Sequence, residues 1–333
     1  MNYGKRSTSK KQKSMHSKSA KAGKKASVIF IKAFLVCLLA AGVIGLCAGI
    51  GIVKGVIDNA PDIDSTSVIP RGYKSVMVDS DGNKMAELIT AGSNRVWVDI
   101  DNIPEHVQKA FVDVEDERFY KHNGIDLKGI IRAGMKGIAS GFRKTEGAST
   151  ITQQLLKNSV FDFMSEDTLV EKIERKLQEQ YLALELEKIM TKDEILEAYL
   201  NTINLGQNTL GIQAAANRYF NKDVSELSVS EAAVIAGITK SPTKYNPVTD
   251  PEENAKRREI VLDDMKKCGD ISEEEYQEAM ADDVYDRIQT TNETKSSASV
   301  YSYYVDATIA QVINDLQEVK GYTSQQAYNL VYN

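Results

Sequence analysis

Long stretches in which apolar residues recur every three or four positions alternate with short stretches of Gly, Pro, Asn and Ser. That alternation predicts a mainly helical protein. The first departure is near the N-terminus, where Ala33 to Val53 form 21 residues without a charge, bounded by Lys32 and Lys54. A helix needs about 20 apolar residues to cross a bilayer. A secretory signal has a shorter apolar core, roughly 7–15 residues, and a small-residue cleavage site. The run is longer than that and no clean A-x-A site follows it, so residues 28–56 read as a membrane anchor rather than a cleaved signal.

Residues 57–96 read as a linker with a short β segment. The polar, Pro-containing stretch DNAPDIDSTSVIPRG leads into SVMVDSDGNKMAEL, two short apolar runs around Asp-Gly that predict a small hairpin. NRVWVDI predicts a further strand. From Pro104 the period becomes helical, with Val107, Phe111 and Val114 on one face. Helices are expected at Leu127–Ile138, Ile151–Lys157, Glu171–Met190, Lys192–Asn201, Gly211–Tyr219 and Ser228–Ile238. Two more are expected at Pro251–Cys268 and Ser272–Met280, then, past a Ser/Thr-rich stretch read as mobile (TTNETKSSAS), two near Val305–Leu316 and Ser324–Leu330.

Charge sharpens the topology. Residues 1–27 hold nine Lys/Arg and no acid, a basic tail expected on the cytoplasmic side of a single-pass anchor, with the rest of the chain outside. Of 41 Lys/Arg, ten precede residue 33; the remaining 31 face 47 acids, a net charge of −16. Such a field attracts no polyanion, so nucleic acid is not an expected partner, and any phosphate site must be built from a few local cations. Three Cys and three His argue against a disulfide framework or a His/Cys metal site.

Four constellations carry candidate chemistry. In EDERFYKHNGID, Glu115 and Asp116 are adjacent, so on a helix they point about 100° apart and cannot do the same job. The pattern fits a solvated helix end, and equally a carboxylate beside an apolar wall acting as a general base. In EGASTITQQLLKN, Ser149, Thr150, Gln153, Gln154, Lys157 and Asn158 surround Ile151, Leu155 and Leu156. This is either a capped half-buried helix or a donor-rich strip with one cation at a helix N-terminus. In ERKLQEQYLALELEKIM, Arg175 and Glu179 are i, i+4 with Lys172 and Lys176 alongside, which is also what an ordinary helix-surface ion pair looks like. The fourth, KDEILEAYLNTINLG, reads mainly as architecture closed by Asn201.

In this order and spacing the four resemble the peptidoglycan glycosyltransferase domain (glycosyltransferase family 51) of class A penicillin-binding proteins. The family pattern E-D-x-x-F-x-x-H-x-G-x-D is met at Glu115, Asp116, Phe119, His122, Gly124 and Asp126. G-x-S-T-I-T-Q-Q-x-x-K-N is met from Gly147 to Asn158, R-K-x-x-E at Arg175, Lys176 and Glu179, and K-x-x-I-L-E-x-Y-L-N from Lys192 to Asn201. The resemblance implies a mainly α, lysozyme-like glycosyltransferase domain over residues 97–270. It implies polymerisation of lipid II with inversion to a β-1,4 link and release of undecaprenyl pyrophosphate. Glu115 would be the base. Lys157, Arg175 and Lys176 would neutralise the pyrophosphate, with Ser149, Thr150, Gln153, Gln154 and Asn158 hydrogen-bonding sugar and phosphate. Glu179 would orient the cations or hold a divalent ion (Mg or Mn). Asp116, Phe119, His122 and Asn201 would support the site. Partners implied are lipid II, nascent glycan, the cell membrane and other cell-wall synthesis and division proteins.

Two departures stand out. The segment between Asn158 and Arg175 is longer than in many relatives, and where those carry a cation this chain has Glu171, so Lys172 would have to stand in. An aromatic position in the fourth block is Asn204. Ser-x-x-Lys occurs at STSK and SPTK without any Lys-Thr-Gly, so both read as chance, and residues 271–333 read as the start of a connection toward a transpeptidase domain that the chain stops short of. Rival readings are a non-catalytic cell-wall scaffold, which should have broken motifs, and a lysozyme-like hydrolase using Glu115 as acid.

Overall fold

The computed structural model describes residues 13, 18–68, 75–82, 84–88, 96–140, 147–161, 168–207, 209–290, 303–322, 327 and 331. It divides into Met1–Ala60 and Pro61–Asn333. Most of the described residues of the first unit form a helix, α1 (Lys18–Asp58). Its Ser27–Asp58 portion is long and apolar enough to cross a membrane, with a mean hydropathy of 2.6 in its most apolar window. The helix starts at Lys18, ahead of the predicted anchor, because no Pro interrupts the Lys- and Ala-containing approach to it.

The second unit opens with the expected hairpin. Strands β1 (Ser75–Val78) and β2 (Lys84–Leu88) pair antiparallel, Ser75 opposite Leu88 and Met77 opposite Ala86, around a turn in which Gly82 has φ +82°. Among the described residues of NRVWVDI there is no strand: residues 96–99 are irregular, followed by a single helical turn at Ile100–Asn102. A side chain satisfies its backbone instead. Asn201 accepts from Val98 N at 2.9 Å and donates to Val98 O at 2.8 Å, so the segment is bolted to a helix rather than laddered to a strand.

The body of the second unit is helical: α2 (Glu105–Asp116), α3 (Leu127–Ala139), α4 (Ile151–Ser159), α5 (Leu169–Ile189) and α6 (Lys192–Thr202). Then come α7 (Ile212–Phe220), α8 (Val229–Ile238), α9 (Pro251–Cys268) and α10 (Glu273–Ala281). Helix α8 is buried from Ser230 to Ile238, apolar on every face beyond its first turn, and packs with α9 and α2. Helix α4 packs between α5 and α6, burying Ile151, Leu155 and Leu156 completely. Each such side chain stabilises by roughly 1.5–3 kcal/mol.

Reciprocal Ser/Thr-x-x-Glu caps set the starts of α5 (Thr168, Glu171), α6 (Thr191, Glu194), α8 (Ser228, Glu231) and α10 (Ser272, Glu275). Helix α11 (Tyr303–Glu318) buries Val305 and Ile309 in a small cluster with Val331, against which Met77 of β1 packs. Of the last two helices expected, the first corresponds to α11; most of Ser324–Leu330, like nearly all of TTNETKSSAS, lies outside the described residues.

Helix α3 has an uncovered apolar face. Leu127, Ile131, Met135 and Ile138 are 62–72% exposed, while the buried positions are Gly129 and Gly137. The first turns of α5 add exposed Leu169, Val170 and Ile173.

Candidate active site

Glu115 and Asp116 occupy the last turn of α2 and part as the helix geometry requires. Glu115 is half-buried on the wall of a cleft of about 420 Å³ that is also lined by Asp126, Arg132, Ser149, Lys240 and Lys267. Both its oxygens are held. Gln154 Nε2 donates to Oε2 at 2.8 Å, and the Thr239 hydroxyl lies 2.5 Å from Oε1. That hydroxyl is also 2.7 Å from the Ala236 carbonyl, and its single proton belongs on the carboxylate, the stronger acceptor. Gln154 Oε1 is in turn 3.4 Å from the Tyr199 hydroxyl. Burial, then the Glu115 and Asp116 charges, push the Tyr199 phenol well above its usual range, so it stays a donor.

Asp116 turns inward, 7% exposed. It accepts from Ile151 N at 3.1 Å and from His122 Nε2 at 2.9 Å, clamping the positive N-terminal end of α4 to α2. His122 Nδ1 is buried without a partner, so the Asp116 bond fixes the tautomer with the proton on Nε2. Phe119 is fully buried edge-on to His122, with Lys192 Nζ 4.3 Å from its ring centre. These three residues shape the site from beneath.

The strip on α4 divides in two. Thr150 is the N-cap, accepting from Gln153 N at 3.2 Å and donating to Gly124 O at 2.7 Å. The Gln153 amide donates to the same carbonyl at 3.3 Å. The two are 1% and 2% exposed, so the reading of Thr150 and Gln153 as substrate contacts meets side chains already engaged in the interior. The outward members are Ser149, Gln154, Lys157 and Asn158. Gly124, which receives both bonds, has φ +81°, and a Cβ there would sit 2.5 Å from the Ala183 carbonyl oxygen of α5. Only glycine allows this approach.

Lys172, Arg175 and Lys176 come from α5, and Lys157 from α4. Glu179 is fully buried and bridges its own helix, one oxygen to Arg175 and the other to Lys176 Nζ at 2.7 Å. Lys176 also donates to Ser149 Oγ at 2.8 Å, joining the cation group to the start of α4. Partial burial, then Arg175 and Lys157, hold the Lys176 ammonium down at about 8. Lys157 is exposed and has no ion-pair partner among the described residues. Lys172 lies a turn before Arg175 and Lys176 on the same face, exposed. Glu171, the departure from the family pattern, closes the helix cap with Thr168. With both Glu179 oxygens engaged by cations and the side chain buried, the residue does not fit as a direct ligand for a divalent ion.

The sequence reading missed Thr239, and it classed Tyr199 as core. Tyr199 lies within the fourth motif, but Thr239 follows an apolar run with nothing to mark it. It also missed the rim at the end of α2, where Glu117 pairs with Arg118 (2.5 Å), Arg132 (2.7 Å) and Lys267 (2.9 Å). Lys267 and Arg132 pull the Glu117 carboxyl down to about 2. Asn201 supports from a distance, through Val98.

A mainly α body that sets Glu115 on a cleft wall, with Ser149 of that wall joined to the Lys176, Arg175 and Glu179 cluster, belongs to a known class. The family described as Transglycosylase matches residues 81–266, and the chain belongs to that family, with a mainly helical, lysozyme-like domain behind one N-terminal helix long and apolar enough to cross a membrane. Among individual proteins it is similar to penicillin-binding protein 1A of Clostridium perfringens (strain 13 / Type A), 38% identical over 91% of this chain and 45% of that protein. It is likewise similar to penicillin-binding protein 1A/1B of Bacillus subtilis (strain 168), 38% identical over 93% of this chain and 33% of that protein. The chain thus spans less than half the length of these relatives. A crystal structure of penicillin-binding protein 1A from Haemophilus influenzae aligns over 74% of this chain and 24% of that one, at 22% identity and a TM-score of 0.37.

Proposed function

We propose that this chain polymerises lipid II into β-1,4-linked glycan with release of undecaprenyl pyrophosphate. The observation that carries the reading is the Glu115 carboxylate, fixed at both oxygens on the cleft wall by Gln154 and Thr239. Near pH 7 the acceptor 4-hydroxyl is a poor nucleophile, and a positioned carboxylate can take its proton as it attacks C1. Pyrophosphate needs charge neutralisation more than a proton as it leaves. Arg175 and Lys176, preorganised by Glu179 and Ser149, supply it together with the exposed Lys157. Asn158 is read as a hydrogen-bond donor to sugar or phosphate, and Gln154, whose amide is engaged by Glu115 and Tyr199, as the group that orients the base. No metal step is assigned to Glu179.

The lipid tail of the substrate requires the domain to work at a membrane surface. The exposed face of α3 (Leu127, Ile131, Met135, Ile138) suits contact with acyl chains. The basic tail places the N-terminus in the cytoplasm and the catalytic domain outside. Other cell-wall synthesis and division proteins are the expected partners.

The test is Glu115→Gln in the detergent-solubilised chain, assayed for glycan polymer from lipid II. Polymer should be undetectable while the circular dichroism and melting temperature are kept. Normal polymer would remove Glu115 as the base. Soluble fragments released from finished wall by the parent chain but not by Glu115→Gln, with no polymer made from lipid II, would favour the hydrolase reading.

A further inference from the structure

Beneath the cleft wall a second cluster of ligating side chains joins α2 to the end of α9. Asp113, two residues before Glu115 and itself on the lining of the cleft, lies close to Cys268, the last residue of α9, and to Asp270 just beyond it. One ligand atom from each of the three lies within 4.8 Å of the other two. Asp113 is 7% exposed, and its Oδ2 is buried without a hydrogen-bond partner. A buried carboxylate oxygen left unpaired is costly, and the group it lacks is a cation or a donor. Lys109 supplies one positive charge, but to Asp270, 2.9 Å from its Oδ1.

The chain reversal that brings the third residue in is built for it. Gly269 closes α9 with φ +84°, so the backbone doubles back within one residue and sets Asp270 beside the helix end that carries Cys268. Cys268 is on the surface, so the cluster is reachable from solvent. Neither the base, the cation group on α5 nor the donor strip on α4 uses these residues.

We propose that Asp113, Cys268 and Asp270 form a binding site for a thiophilic divalent cation, zinc by preference, which staples the C-terminus of α9 to the helix that carries Glu115. One thiolate with two carboxylates suits zinc, whose four-coordinate sites accept Cys and Asp together. A soft ligand in the set disfavours magnesium and calcium. The three protein ligands leave a fourth position for water. Drawing three atoms now within 4.8 Å onto bonds of about 2.0–2.3 Å needs only a small contraction at a helix end. The site is independent of the pyrophosphate chemistry proposed above.

The test uses the full chain in detergent, in a Cys37→Ser/Cys47→Ser background, so that Cys268 is the one remaining thiol. Cobalt(II) is the probe. The expected result is one cobalt per chain, a near-ultraviolet thiolate-to-cobalt charge-transfer band, and its displacement by zinc. Cys268→Ser should abolish the band, and Asp113→Asn should weaken cobalt binding by about 100-fold or more. Both variants are expected to fold, because Asn is isosteric with Asp and Cys268 is exposed; circular dichroism without metal checks this. No band in the parent would overturn the site. So would a band that needs Cys268 but is unchanged by Asp113→Asn and Asp270→Asn, since that is metal on a lone thiol.

Discussion

The Thr239 hydroxyl lies 2.5 Å from Glu115 Oε1, across 124 residues of sequence. With Gln154 on the other oxygen, it holds the carboxylate in one orientation on the cleft wall. A hydrogen bond to a charged group contributes about 1.5–3 kcal/mol. Thr239→Val should therefore lower kcat for lipid II polymerisation by roughly 10- to 100-fold with little change in KM. Thr239→Ser, which keeps the hydroxyl, should restore most of it. A Val variant with unchanged kcat would show that Gln154 alone suffices.

Glu179 should matter for stability as well as for activity. It is the buried counter-charge of Arg175 and Lys176. Glu179→Ala leaves two crowded cations without it, although Lys176, 42% exposed, can turn to water. The expected loss is about 1–3 kcal/mol, read from the denaturant midpoint. KM for lipid II should rise, because the cations lose their fixed geometry.

Lys176 predicts an alkaline limit to substrate binding. Its ammonium is held at about 8, so the cation is present below that pH and lost above it. KM should rise as pH passes through about 8. Lys176→Arg, which stays charged, should move that rise to higher pH. A flat KM across this range in the parent chain would remove Lys176 from the pyrophosphate grip.

Glu117 predicts the acid limb of stability. Lys267 and Arg132 depress its carboxyl from an ordinary 4.5 to about 2. The folded state therefore binds fewer protons than the unfolded state between those values. The resulting stabilisation is fully present above about pH 4.5 and is lost as pH falls through about 2. Glu117→Gln should be less stable at neutral pH and should lose less on acidification, measured as melting temperature against pH.

Much of this arrangement was readable from local pattern. The helical period placed α2, α4, α6, α8 and α9 within a few residues, because each buries an apolar stripe whose spacing its own residues define. Reading NRVWVDI as a strand failed because β-branched and aromatic residues favour extended backbone without saying what pairs with it, and here Asn201 from α6 took that part. The spacing on α4 fits a capped half-buried helix and a donor-rich strip alike, and the structure divides it: Thr150 and Gln153 face inward, where they donate to the Gly124 carbonyl.

Residue order alone determined the helical class, an apolar span able to cross a membrane, and the four motifs that place a carboxylate before a donor strip and a cation pair. These are properties of spacing and chemical type within a dozen residues. Only the tertiary structure decided that Thr239 holds Glu115, that Glu179 is consumed by Arg175 and Lys176, and that Asp113 meets Cys268. Those contacts join separate segments, or depend on which way a side chain turns once its helix is packed. Periodicity fixes the face of a helix, but its neighbour is set by how all the faces are buried together.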